Sequence, residues 1–77
     1  MQDTTIRQCW RIERRAISFF KFIFEAYEGI AVIETLDGKS GTIALHIAPG
    51  CEEMVAGIIR DLGRNHLMEP VYDEDAK

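Results

Sequence analysis

The sequence predicts an α+β domain with the ferredoxin-like element order βαββαβ, in which two helices cover one face of a four-stranded antiparallel sheet. Three observations predict it. Two segments alternate between apolar and polar residues, two others have apolar residues at three- and four-residue spacing, and a polar turn with a glycine joins the middle strands. The 77 residues fit a single domain, with frayed tails expected at residues 1–4 and 73–77.

The first strand and the first helix are adjacent in the chain. Residues 5–13 alternate as a strand does, with Ile6, Trp10 and Ile12 expected to face the helices. The spacing then becomes helical, which predicts a helix over residues 14–28. Its apolar stripe is Ala16, Phe20, Ile23, Phe24 and Tyr27.

The second half of the chain supplies a hairpin, a helix and a last strand. Residues 30–36 and 41–48 predict two antiparallel strands, and residues 51–65 predict the second helix. Residues 67–72 predict a short strand that Pro70 restricts to a sheet edge, because proline donates no hydrogen bond to a neighbouring strand. The apolar stripe of the second helix is Met54, Val55, Ile58, Ile59 and Leu62.

The charge and the hydropathy of the chain argue against two classes of partner. Nine basic and thirteen acidic residues give a net charge of −4, which opposes attraction to nucleic acid and to anionic lipid. The densest apolar run, residues 16–26, is too short to cross a membrane, and the N-terminus does not resemble a signal peptide. The sequence therefore predicts a cytoplasmic protein with no membrane partner.

The sheet face away from the helices is the first candidate functional surface. In this topology the first and third strands are central, so their outward residues share that face. They are Arg7, Cys9, Arg11, Thr42, Ala44 and His46. These small or cationic side chains suit an anion or a protein partner, although packing against a second copy or plain exposure to solvent is the simpler interpretation. RNA readers of this topology stack bases on aromatic residues at these places, so only weak RNA binding stays open.

The cysteines and histidines give little sign of catalysis or of a metal. Cys51 is expected at the start of the second helix, where the helix dipole can lower the pKa of a thiol, yet no base can be placed beside it. Cys9 and Cys51 form no CxxC pair, and His46 and His66 have no second ligand at metal-binding spacing. His66 is expected to complement the negative end of the second helix. No catalytic residue, metal or cofactor is predicted.

The first helix carries more aromatic surface than one face can hide. Phe19 and Phe22 fall outside the apolar stripe and are expected to be exposed. A contiguous apolar patch commonly marks a partner or subunit contact. The alternative to such a contact is that the chain's own N-terminal strand or tail covers the patch.

Residues 11–71 resemble a family of short uncharacterised bacterial proteins with an ACT-like βαββαβ unit. The matching features are FEAYEGIAV at residues 24–32, TLD at 35–37 and IAPG at 47–50. The resemblance implies the fold and a family of unassigned biochemical role. ACT domains proper are regulatory modules that pair through sheet edges or helices and bind amino acids beside a glycine after the first strand, where this chain has Glu13 to Ala16.

Together these observations favour a noncatalytic ACT-like module that forms a homo-dimer or a higher homo-oligomer. The contact is expected at Phe19 and Phe22, or at the face with Arg7, Arg11 and His46. A small anionic ligand or a larger protein partner fits the same surfaces. The alternatives are a thiol-dependent enzyme or redox protein using Cys51, and weak RNA binding on the open sheet face.

Overall fold

A computed structural model describes residues 6–71 of the chain. The strands are β1 (Ile6–Ile12), β2 (Ala31–Asp37), β3 (Thr42–Ile47) and β4 (Met68–Val71), and the helices are α1 (Ile17–Ala26) and α2 (Glu52–Leu62). The sheet order is β2-β3-β1-β4, and every neighbouring pair is antiparallel. The predicted α+β ferredoxin-like fold is confirmed. The tails expected at residues 1–4 and 73–77 lie outside the described residues.

Both helices are shorter than the sequence predicts. The segment that leads into α1 is a single turn of 3-10 helix at Arg14–Ala16, and α1 ends at Ala26 because Tyr27 leaves the helical region with φ −102° and ψ 80°. The chain then turns at Gly29, whose φ of +82° is one that glycine adopts without strain. The second helix, α2, ends at Leu62, and the next three residues form turns in place of further helix.

The core lies between one sheet face and the helices. Trp10 pairs with Ile43, and Gln8 pairs with Leu45, so alternate residues of β1 and β3 face the same side. The largest side chains that are less than 2% exposed are Ile12, Phe20, Ile43, Leu45, Ile47 and Val55. These six come from β1, β3 and both helices, which ties the helices to the two central strands.

Three apolar residues expected in the core are exposed. Ile6 is 38% exposed because it opens β1, where fewer neighbours cover the strand. Tyr27 is 46% exposed because it follows the last residue of α1. Met54 is 53% exposed since one helical step turns it away from the buried Val55. Of the other inward positions predicted in β1, Ile12 is buried and Trp10 is partly buried against the core.

The β2–β3 hairpin is fitted closely against β1 at its turn. Gly41 has a φ of +80°, and its N–H donates to the carbonyl of Asp37 at 3.0 Å. The carbonyl of Gly41 accepts a 2.8 Å hydrogen bond from the N–H of Ile12, which continues the pairing of β3 with β1.

Among residues 6–71, neither helix has the length and the hydropathy that crossing a membrane requires.

Candidate binding surfaces

The open face of the sheet, defined as the face away from the helices, gathers the residues that the sequence placed there. Strands β1 and β3 pair Arg7 with His46, Cys9 with Ala44 and Arg11 with Thr42. Directly paired residues in an antiparallel sheet point to the same side. The predicted partner face of Arg7, Cys9, Arg11 and His46 is therefore one contiguous surface, and its function stays a prediction.

The edge strands add carboxylates that the sequence reasoning missed. Glu69 of β4 lies beside Arg11 and forms an ion pair with its guanidinium. Glu34 of β2 pairs with Ala44, and its Oε1 lies 2.9 Å from Nε2 of His46. The open face is therefore of mixed charge, which corrects the expected cationic strip. Strand alternation in residues 30–36 and 67–72 would have revealed both carboxylates, had the outward residues of the edge strands been considered with those of the central ones.

The two residues at the middle of the open face, Cys9 and Ala44, are buried from solvent. Ala44 is 0% exposed and Cys9 is 8% exposed, although both side chains point away from the helices. Longer side chains surround these two small ones in the same strands. Neither the Cys9 thiol nor the space above Ala44 is open to a ligand.

The outer side of α1 presents the two predicted aromatic residues. Phe22 is 66% exposed and Phe19 is 43% exposed, so both lie at the surface as the sequence predicts. Their surroundings differ. The Phe19 ring lies 5.5 Å from the ring of His66 and 6.4 Å from that of Phe20, between centroids. Phe22 has no ring contact with another described residue.

His66 packs against α1 and does not complete the end of α2. Its ring lies 5.5 Å from Phe20 in an edge-on geometry and approaches Phe19 at the same distance. Its Nδ1 is buried without a hydrogen-bond partner and lies 3.9 Å from Oε1 of Glu13. The last carbonyls of α2 accept instead from the N–H groups of residues 63–65. No sequence pattern predicts this stacking, because it depends on how the loop after α2 folds over α1.

Cys51 sits immediately before α2, as predicted, and neither histidine of residues 6–71 lies beside it. It is partly buried and packs against the hydrophobic core. His46 lies on the open face, so the sheet separates it from the core, and His66 lies beyond the opposite end of α2. Within residues 6–71 no group of His, Cys, Asp and Glu is suited to hold a metal ion.

A groove runs between α1 and the edge strand β2. Its volume is about 270 Å³. Phe24 and Ile33 make it apolar, while Lys21 and Glu25 add opposite charges one helical turn apart. Its full lining is Lys21, Phe24, Glu25, Ala31, Val32 and Ile33. This surface was not predicted, since it depends on where α1 crosses β2.

The chain matches a family model described as a domain of unknown function, DUF4911, over residues 10–65. The match covers more than half of the chain and extends from within β1 beyond the end of α2. No curated protein and no solved structure matches the chain. The expectation of a family without an assigned biochemical role is therefore confirmed. The chain belongs to the DUF4911 family of domains of unknown function.

Proposed function

We propose that this chain is a noncatalytic binding module that works by self-association, with the outer surface of α1 around Phe22 as part of the contact. The observation that carries the proposal is the exposure of Phe22, which leaves 66% of a large apolar side chain in water. Phe19, 43% exposed, extends the same surface. Burying a phenylalanine side chain fully is worth about 1.5–3 kcal/mol, so covering this surface favours association.

The chemistry of the described residues supports binding over catalysis. Cys51 packs against the core, and the two histidines lie away from it on the open face and against α1. A thiol nucleophile needs a base within hydrogen-bonding reach or a strongly electropositive site. The first turn of α2 carries two acidic residues, Glu52 and Glu53, and no basic one.

The open face gives less support to a small anionic ligand. Arg11 is already paired with Glu69, and His46 contacts Glu34. An anion binding there would compete with these carboxylates and would find the centre of the face closed at Ala44. Self-association through α1 would not displace these carboxylates, and it would not need space at the centre of the open face.

Sedimentation equilibrium up to high micromolar concentration tests the proposal. The unmodified chain is expected to form a dimer or a higher oligomer, and Phe22→Ser is expected to shift it towards monomer. Met54→Ser is the matched control because Met54 is a 53% exposed apolar residue on α2. A monomeric unmodified chain at every concentration would contradict the proposal, as would equal weakening by both substitutions.

The Phe22 variant is expected to stay folded, which keeps the test interpretable. Substitution of an exposed residue away from the core changes stability by about 0.5 kcal/mol or less. Truncation of the buried Phe20 to alanine in the same helix is expected to cost about 3–5 kcal/mol. Urea denaturation followed by circular dichroism separates the two cases.

A further inference from the structure

The outer edge of β2 carries backbone groups that pair with no other strand of residues 6–71. The N–H of Ala48 donates to the carbonyl of Ile30 at 2.9 Å, so the backbone groups of Ile30 point towards β3. Backbone direction alternates along a strand in an antiparallel pair. The N–H and C=O groups of Ala31 and Ile33 therefore point outward, away from β3.

This edge is less protected than the opposite one. The other edge strand, β4, has four residues and includes Pro70, both of which discourage pairing with another chain. Strand β2 has seven residues without proline, and its irregularity falls late, between Thr35 and Asp37. Its first half is regular, and Val32 there is 65% exposed.

The groove above this edge carries charges that suit a copy of itself. Lys21 and Glu25 lie on the same rim, one helical turn apart, and neither forms an ion pair with another residue in the 6–71 range. A two-fold axis perpendicular to the sheet reverses the direction of a helix that lies along the sheet. The two copies of α1 would therefore run antiparallel. Lys21 of one copy then faces Glu25 of the other, and the reverse pair forms as well.

We propose that two copies of this chain pair through β2, antiparallel about a two-fold axis at Val32. Ala31 of each copy exchanges backbone hydrogen bonds with Ile33 of the other, and the two four-stranded sheets become one continuous sheet. The two α1 helices lie side by side above the junction, held by reciprocal Lys21–Glu25 contacts. This inference rests on the proposed self-association and adds the edge of β2 to the contact proposed on α1.

Charge reversal tests the contact between the helices. Lys21→Glu alone and Glu25→Lys alone each turn two attractive contacts into repulsive ones, so each variant is expected to dimerise about tenfold more weakly. An equimolar mixture of the two variants restores both attractive contacts and is expected to form a heterodimer at unmodified affinity. Each substitution also creates a pair of like charges at positions 21 and 25 within its own chain. The mixture controls for that repulsion, because both chains still carry it there.

Hydrogen exchange of the dimer tests the strand pairing. The amides of Ala31 and Ile33 are expected to exchange slowly in the dimer and rapidly in the diluted monomer. A dimer with rapid exchange at both amides, or a mixture that fails to associate beyond its components, overturns this geometry and leaves the self-association in place. A chain that stays monomeric removes both proposals.

Discussion

The missing side chain of Gly41 sets how closely the hairpin approaches β1. A Cβ atom there would lie 1.9 Å from the carbonyl oxygen of Ile12, a backbone atom that cannot rotate away. The φ of +80° is also strained for any residue with a Cβ. We expect Gly41→Ala to lower the free energy of unfolding by about 3 kcal/mol, measured by urea denaturation.

Gly38 in the same turn is the control for Gly41. A Cβ at Gly38 would lie 3.9 Å from Cγ2 of Thr35, an ordinary contact distance. Gly38→Ala is expected to change the free energy of unfolding by about 0.5 kcal/mol or less. Similar losses at both positions would show that turn flexibility, and not the contact with Ile12, determines the stability of the hairpin.

Strand β4 is the shortest described strand of the sheet, with four residues, and the Arg11–Glu69 ion pair joins it to β1. The two side chains are about half exposed, at 50% and 49%, so water and salt screen their attraction. A double-mutant cycle with Arg11→Gln and Glu69→Gln is expected to give a coupling energy of about 0.2–1 kcal/mol that falls with added salt. A larger coupling, insensitive to salt, would mean that β4 depends on this pair more than its exposure implies.

The strands were more predictable than the helix ends. Alternation in β1 and β3 identifies their buried faces, because a strand has only two sides. The end of α2 was placed three residues too late, at Asn65, because Gly63, the residue at which the helix ends, was counted within it; residues 63–65 form turns. The groove beside β2 had no signal at all, because Lys21 and Val32 come together only through the position of α1.

The candidate surface residues were predicted unevenly for the same reason. Phe22 could be found from its place outside the apolar stripe, which is a local property of one helix. The partners of Arg11 and His46 belong to other strands, so their identification needs the sheet order and register as well as the alternation. Residues on a single element are thus readable from sequence, while pairs between elements depend on the assembled sheet.

The net charge and the surface chemistry of the molecule both oppose RNA binding. The net charge is −4, and the outward residues of the described strands include no Phe, Tyr or Trp on the open face. Bases would find neither a positive field nor a stacking platform. We expect no change in the fluorescence anisotropy of a labelled single-stranded RNA at low salt. Binding that weakens steeply with added salt would contradict this expectation.

Pro70 has a consequence for how far an assembly of these chains can grow. A sheet that accepted new strands at both edges would polymerise without limit, as fibrils do. Among the described strands, the edge that contains Pro70 discourages further addition, while β2 remains receptive. Once two receptive edges have met, both outer borders of the joined sheet are proline-bearing. The expected product is a closed pair that terminates its own growth, and a filament is not expected.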